Sequence, residues 1–328
     1  MIISKTPLRA SFFGGGTDFA DYFRNSRFGY GSVISTALNM HVYITVNKRF
    51  DNKIRVVYTG NELVENAHEV KHNIIREALN ITGIENGVEI VYMADLPMTD
   101  LGVGLASSSA LAVGVLNALH VFKGEYVSPR DLAKEAVDIE LNRLGQQIGV
   151  QDQYAVAYGG FNRYIFNADD TVSVTPIILS AENRETLLNN LLLFYTGNPR
   201  DSRAIFAEQK KTTQNKKEIY DSLVEATDRA LEYLKKGDLD EWGYLLNETW
   251  LTKKKFASGV SNPLVDDMYE KATKAGALGG KILGAGGGGF MLLYVPISKQ
   301  QDVRNALSDF KEIDFAMDMQ GSRIIFSD

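Results

Sequence analysis

Cysteine is absent from the 328-residue chain. That excludes a disulfide framework, a zinc–thiolate site and a cysteine nucleophile. Excess positive charge is also missing: 35 basic and 41 acidic side chains leave a net charge of −6. No basic stripe of the kind a general nucleic-acid binder needs is visible. The strongest basic cluster, KKTTQNKK at 210–217, reads as a solvated loop or helix face. The apolar stretches, such as FMLLYVPI, are too short to cross a bilayer. The opening MIISKTPLR holds no apolar core of signal-peptide length, so a cytoplasmic location is the expectation, with neither membrane nor nucleic acid as partner. The four histidines (41, 68, 72 and 120) give no expectation of a metal site. Proline is scarce at 7, whereas glycine is plentiful at 29. An apolar fraction of 45% with 23% charged residues is ordinary for a folded protein and excludes a disordered chain, a collagen or a coiled coil.

Strand and helix signals alternate along the chain. IISKTPLRASFF reads as extended structure broken at Pro7. Segments 32–46, 53–58 and 88–97 are rich in β-formers. Residues 68–80 and 263–275 read as helices, and a nearly all-apolar helix follows the Gly/Ser loop at 102–109, which marks it as buried. Ser128-Pro129 opens a further helix running to about Leu144, and 152–158 forms another. Residues 201–256 read as helical, and the stripe Trp242, Leu245, Leu246 and Trp250 reads as core. The chain closes with a strand at 322–326. No repeat of fixed period is apparent. The class is α/β or α+β, with a domain boundary near 180–186, giving domains 1–183 and 184–328.

The glycines are clustered. Gly14 to Gly16, Gly102 with Gly104, and eight residues between Gly276 and Gly289 together make thirteen of the 29. Each cluster abuts regular structure, which flexible linkers do not. The favoured reading is close approach of the backbone to a ligand. The loop at 102–109 opens directly into a helix, whose N-terminal N–H groups and dipole favour phosphate. The competing reading is that Ser108 or Ser109 merely caps that helix. There is no Walker A sequence, since Ile282 follows Gly279-Gly280-Lys281. Gly284 to Gly289 matches G-x-G-x-x-G but leads into a strand, not the helix a dinucleotide fold requires.

One carboxylate is out of place. On a helix over 131–144, Glu140 falls near the middle of the apolar arc formed by Leu132, Ala136 and Ile139. A buried charge there needs a partner or a cation. Arg143, at the edge of the arc, is one candidate; a metal or catalytic role is the other. Asp152, ahead of a short apolar helix, and Asp18, after the triple glycine, each have a plain alternative as a cap or turn residue.

TPLRASFFGGGTD, GVGLASSSA and KILGAGGGGF, in this order and spacing, resemble the three motifs of the GHMP small-molecule kinases. VQDQYAVAYGGFNRY and SNPLVDDMYEKATKAGALGGKILGAGGGGF bring the chain nearer to the heptose 7-phosphate kinases within that superfamily. The resemblance implies an α+β, two-domain fold of mixed sheets and packed helices with the active site between the domains. It also implies an ATP- and Mg²⁺-dependent transfer to the anomeric hydroxyl of D-glycero-D-manno-heptose 7-phosphate, giving the 1,7-bisphosphate. By position it assigns the ATP phosphates to Gly102, Gly104, Leu105, Ala106 and Ser107 to Ser109. Mg²⁺ falls to Ser108 and Glu140, the general base to Asp152, and polarisation of the hydroxyl or the phosphoryl group to Arg9. The sugar falls to Gly15, Gly16, Thr17 and Asp18, with Gly286, Gly287 and Gly288 closing over it. Arg200 and Arg203 are candidates for the sugar phosphate or are solvent-facing arginines. Ala106 departs from the usual G-L-G-S-S or G-L-S-S-S wording of the second motif. Fucose or galactose kinase activity, and a sugar and ATP sensor without turnover, stand as alternatives; the intact set of Arg9, Glu140 and Asp152 argues against the sensor. The oligomeric state is left open, a homodimer included.

Overall fold

The computed structural model of the chain describes residues 1–96, 104–197, 204–205, 207–209 and 216–328. The first half contains β1 (Ile2–Phe13), α1 (Ala20–Phe23), β2 (Tyr30–Lys48), β3 (Ile54–Val57), β4 (Asn61–Val64) and α2 (Asn73–Thr82). There follow β5 (Val88–Ala94), α3 (Ser107–Phe122), α4 (Pro129–Val137), a π-helical turn over Asp138–Arg143, α5 (Gln151–Tyr158), β6 (Phe161–Asn167) and β7 (Val172–Pro176). The second half holds α6 (Ala181–Asn189), β8 (Leu191–Tyr195), α7 (Lys217–Lys236), α8 (Leu239–Lys253), α9 (Pro263–Lys274), β9 (Gly279–Ile282), β10 (Phe290–Tyr294), α10 (Gln300–Ala306), β11 (Lys311–Glu312) and β12 (Arg323–Ser327).

Two sheets organise these elements. The larger runs β12-β1-β2-β5-β3-β4, with β6 on β2 and β7 on β6; the smaller runs β11-β8-β10-β9. The long strand β2 serves two neighbours: Tyr30 to Thr36 pair with β6, and Val42 to Lys48 pair with β5. Its valines and isoleucines (Val33, Ile34, Val42, Ile44, Val46) are all buried, as a two-sided strand requires. Pro7 does not break the first strand as expected. β1 passes through it with a register shift between Pro7 and Leu8, the bulge that a residue without an N–H demands in a paired strand.

The expected helix after the Gly/Ser loop is α3. Its middle, from Ser109 to His120, is buried throughout, against β1 and β2. α4 starts as predicted: Ser128 Oγ accepts from the Asp131 N–H at 3.2 Å, and Pro129 occupies the first turn. The single helical stretch expected over 201–256 is interrupted. Gly237, at φ +80°, ends α7, and α8 restarts two residues later. Of KKTTQNKK, residues 210–215 lie outside the described residues. The stripe Trp242, Leu245, Leu246 and Trp250 is buried as core.

Aromatic packing joins the halves. Phe12 and Phe13 of β1 meet the Trp242 ring edge-on, at centroid distances of 5.1 and 4.9 Å, and Phe12 also meets Phe161 at 5.7 Å. Such contacts add about 0.5–1.5 kcal/mol each beyond area burial. They fix the end of β1 against α8 and set the loop after Phe13 above a cleft between the two sheets. No helix among the described residues is long and apolar enough to cross a membrane.

Candidate functional site

The cleft, open to solvent, spans about 460 Å³, and its lining includes Arg9, Asp18, Asp152, Lys253, Lys281 and Gly284. Arg9 sits on β1 and is almost wholly buried, at 2% exposure. Its Nε and Nη2 donate to the two oxygens of Asp152, both at 2.8 Å, while Nη1 donates to the Gly104 carbonyl at 2.8 Å. This is the bidentate fork that guanidinium and carboxylate planes allow. The Arg9 N–H also donates to the Leu105 carbonyl at 3.1 Å. One residue thereby ties the Gly/Ser loop to the carboxylate.

Asp152 is not the cap of its helix. Val150 is the N-cap of α5, and Asp152 lies in the first turn, where its charge also suits the helix dipole.

Asp18 is held by the backbone. Its Oδ1 accepts from the Gly16 N–H at 2.9 Å, and its Oδ2 accepts from the Gln151 N–H at 3.2 Å. Burial, and next the negative charge of Asp152, push its pKa up from the usual carboxylate value. Gly149 backs directly onto it: a Cβ there would stand 1.8 Å from Asp18 Oδ2. Gly15 and Gly16 line the cleft. Thr17 does not reach it. Its hydroxyl donates to the Gly14 and Ser32 carbonyls at 2.8 and 2.9 Å and so staples the loop to β2. Gly14 is forced by that packing, with φ +78° and a would-be Cβ 1.8 Å from Ser32 O.

Glu140 is fully buried, as its place in the apolar arc predicts, and Arg143 is not its partner. Arg143 pairs with Asp138 at 2.7 Å and Glu77 at 3.5 Å. The π-helical turn widens the helix at this point, a device common at functional sites, and turns Glu140 toward α3 and α5. There it accepts from Ser108 Oγ and Ser109 Oγ at 2.6 Å each, and from Gln153 Nε2 at 2.5 Å. All three donors are neutral, so among the described residues the hydrogen bonds that meet the carboxylate bring it no positive charge. Burial raises the Glu140 pKa from its usual 4.5, while the three donors oppose the rise.

The serines do not cap α3. Ala106 is the N-cap, in the left-handed region at φ +63°, with no side-chain cap bond. Ser107 is half-buried and Ser108 exposed at the mouth of the helix. Ser108 therefore connects solvent to the buried carboxylate. Leu105 and Ala106 are buried beneath the loop. Gly102, Arg200 and Arg203 lie outside the described residues.

Of the late glycines, Gly284 lines the cleft. Gly286 and Gly287 pack on the segment before α9: a Cβ on Gly286 would lie 2.4 Å from Val260 O, and the Gly287 N–H donates to that same carbonyl at 2.7 Å. Gly288, at φ +147°, is buried in the same turn. The loop is thus braced from behind.

Four cleft residues escape the motif reading. Lys281 is buried on β9 and donates to the Phe12 carbonyl at 2.9 Å. Lys253, at the end of α8, donates to the Gly284 carbonyl. Ser11 and Gln151 line the cleft, and their buried Oγ and Oε1 find no hydrogen-bond partner among the described residues. The signal for Lys281 is a lysine inside the four-residue strand GGKI, buried throughout.

His68-Glu69-Val70-Lys71-His72 spells H-E-x-x-H, which binds zinc only when a helix puts both histidines on one face. Here Ala67–Glu69 is a 3₁₀ turn and α2 begins at Asn73, so that condition fails. Among the described residues no group of three or more His, Cys, Asp or Glu side chains could hold a metal. A cation held by one carboxylate, one hydroxyl and substrate phosphates needs no such group.

Two family models match the chain: the GHMP kinases N-terminal domain over residues 69–160 and the GHMP kinases C-terminal domain over residues 230–313. The chain belongs to the GHMP kinases and is an ATP-dependent kinase of that family with its two-domain fold. It is 30% identical to the D-glycero-alpha-D-manno-heptose 7-phosphate kinase of Campylobacter jejuni, the match covering 93% of each chain. It is 25% identical to the galactokinase of Pyrococcus furiosus, over 93% of this chain and 92% of that one. A crystal structure of a D-glycero-D-manno-heptose 1-phosphate kinase from Bacteroides thetaiotaomicron superposes over 100% of both chains, with a TM-score of 0.82 at 24% identity.

Proposed function

We propose that the chain is a sugar kinase that transfers the γ-phosphoryl group of ATP to the anomeric hydroxyl of D-glycero-D-manno-heptose 7-phosphate. The product is the 1,7-bisphosphate, a precursor for nucleotide-activated heptose, made in the cytoplasm. The observation that carries the kinase reading is the fully buried Glu140, met among the described residues by neutral donors and tied to exposed Ser108 at the opening of α3. A carboxylate and a hydroxyl of that kind suit Mg²⁺, a hard cation that takes one or two protein oxygens and keeps substrate phosphates and water as its other ligands. When bound, Mg²⁺ supplies charge neutralisation at the phosphates.

The protein groups have separate tasks. The first-turn N–H groups of α3 lack acceptors within the helix and hold phosphate oxygens. Asp152 accepts the proton of the attacking hydroxyl. Arg9 keeps Asp152 oriented, and its charge offsets that developing on the transferring group. Asp18, fixed by two backbone N–H groups, accepts hydrogen bonds from hydroxyls elsewhere on the sugar. The domain division at 183/184 goes with this reading, with β12 returning to the first sheet.

The heptose assignment is supported by the 30% identity over nearly the whole chain; galactose or fucose as acceptor is the second reading, favoured by the galactokinase match. ATP consumption over a panel of free and phosphorylated sugars, with NMR of the product, tests both. Turnover on heptose 7-phosphate giving an anomeric phosphate supports the first reading. Turnover confined to galactose or fucose supports the second, and ATP and sugar binding with no turnover on any sugar sinks both.

A further inference from the structure

The triple glycine at 14–16 is only partly explained by the fold. Gly14 and Gly16 adopt left-handed backbone, at φ +78° and +103°. A Cβ would also crowd each of them, Gly14 against Ser32 O at 1.8 Å and Gly16 against the Phe256 and Tyr220 rings at 3.0 and 3.1 Å. Gly15 has neither reason. Its φ lies outside the left-handed region, and a Cβ there would meet Ser11 Oγ at 3.7 Å and Gln151 Nε2 at 3.9 Å, both ordinary van der Waals distances. Among the described residues, neither backbone strain nor packing therefore excludes a side chain from position 15. What lies on that side is the cleft, which Gly15 lines.

The two atoms nearest this open point are polar, and each belongs to a side chain with hydrogen-bonding capacity unmet among the described residues. Ser11 lies two residues after Arg9 on β1, and the pairing with β2 runs without a shift from Arg9 to Ser11. Strand alternation puts both on one face, the face from which Arg9 reaches Asp152. The Ser11 Oγ is buried and finds no partner among the described residues. Gln151 directly precedes Asp152 at the start of α5, and its backbone N–H is spent on Asp18. Its side-chain Oε1 is buried and likewise unmatched among the described residues. Two such groups around one point are costly until something answers them. Both residues line the cleft with Asp18 and Asp152. A hydroxyl donates as well as accepts, so one hydroxyl can serve the Ser11 hydroxyl and the Gln151 amide together. A fully ionised phosphate oxygen only accepts and leaves Gln151 Oε1 unmatched.

We propose that the acceptor itself fills the open side of Gly15: one of its carbons lies against the glycine, and the hydroxyl on that carbon is held by Ser11 and the Gln151 amide. The proposal rests on the sugar-kinase reading and deepens it. It makes Ser11 and Gln151 specificity residues of the acceptor site, distinct from the base Asp152. It also makes the missing side chain at position 15 a determinant of which sugar fits.

The test measures kcat, KM and melting temperature for the wild type, Gly15→Ala, Ser11→Ala and Gln151→Met. The acceptors are the sugar that the panel experiment identifies and its monodeoxy analogues. Gly15→Ala is expected to melt no lower than wild type, because alanine has less chain freedom to lose on folding where its backbone angle is allowed. Its KM for the sugar should rise about 10- to 100-fold through crowding, with the KM for ATP within about twofold. Ser11→Ala and Gln151→Met should each raise the sugar KM about 3- to 10-fold, the cost of one neutral hydrogen bond. On the one analogue that lacks the bound hydroxyl, the wild type should lose a similar factor and these two variants should lose nothing further. If either of them does not fold, Gly15→Ala decides. Gly15→Ala with an unchanged sugar KM overturns the proposal and leaves the sugar-kinase reading standing. Ser11→Ala and Gln151→Met with no penalty, or with the same penalty on every analogue, do the same. A wild type that turns over no sugar overturns both.

Discussion

Arg9 grips both oxygens of Asp152, with Nε and Nη2 each at 2.8 Å from the carboxylate. The same guanidinium reaches the Gly104 carbonyl at 2.8 Å. The proposed base, the strand that orients it and the loop that would hold phosphate thus move as one unit.

Replacing Asp152 with Asn keeps the shape and removes the proton acceptor. General base catalysis contributes about 10²–10⁴-fold. The expected outcome is a fall in kcat of that size, with ATP affinity by titration calorimetry within about twofold of wild type. Near-normal turnover would remove Asp152 from the role of base.

Arg9→Lys retains the charge but not the fork, and a lysine cannot span both oxygens and the Gly104 carbonyl in one plane. Turnover should drop about 10- to 100-fold by loss of charge-assisted bonds, while a charge-neutral Arg9→Met drops further. Stopped-flow measurement of the chemical step separates the two. Equal rates for both variants would show that the charge, not the geometry, is idle.

Glu140→Gln separates stability from function. The pKa of Glu140 is raised by burial, so the folded state binds its proton more tightly than the unfolded state. Stability from this group therefore falls as pH rises above about 4.5 toward the raised value, and at neutral pH its charge is a net cost. A glutamine amide can face Ser108 while its carbonyl accepts from Ser109 and Gln153. In metal-free buffer at neutral pH the variant is expected to melt no lower than wild type. Its turnover should fall by at least about 100-fold as a charge-stabilising group is lost. A clear drop in melting temperature, or a normal Mg²⁺ dependence, contradicts this account.

His120 offers a pH test far from the cleft. Its two ring nitrogens lie 2.8 Å from Glu135 and 2.8 Å from Glu125. The Glu135 hydrogen bond first, then that of Glu125, raise its pKa above the usual 6.5, against the opposing effect of burial. A raised histidine pKa stabilises the fold fully below 6.5, and the gain is lost as pH climbs through the folded value. Thermal melts of the wild type should decline across that window. His120→Gln should flatten the decline; an unchanged slope would mean the pair of glutamates does not hold the charge.

Gly14→Ala probes the first loop. With φ +78° and a Cβ 1.8 Å from Ser32 O, the substitution strains the backbone and forces the loop off β2. A loss of about 1–3 kcal/mol or more is expected from backbone strain, read by chemical denaturation. The KM for sugar should rise because Asp18 is carried on the same loop.

Much of this was legible from residues alone. The out-of-place Glu140 and the glycine loops stood out because burial, turn geometry and phosphate binding each restrict residue type, whereas the roles expected of Arg9, Ser108 and Asp152 came from the resemblance to the GHMP kinases. What stayed hidden depends on tertiary contacts. Which donors meet Glu140 is decided by α3 and α5, not by its own helix, so Arg143 looked eligible until the chain closed. Thr17 reads as a ligand residue but is used on Ser32, a neighbour 15 positions away. Lys281 and Lys253 lie 28 residues apart on a strand and a helix, and no local pattern links them. The Pro7 bulge was invisible because a strand signal and a strand-breaking residue coincide there.

The π-helical turn at Asp138–Arg143 makes the site depend on a residue count as well as on residue identity. In a regular α-helix each position advances about 100° around the axis. Deleting one residue between Val137 and Glu140 would leave the helix, its apolar face and every side chain of the motif intact in composition. It would still swing the carboxylate about a quarter-turn away from Ser108. A homologous chain could thus carry every motif residue and still lack the site if it were one residue shorter at this point.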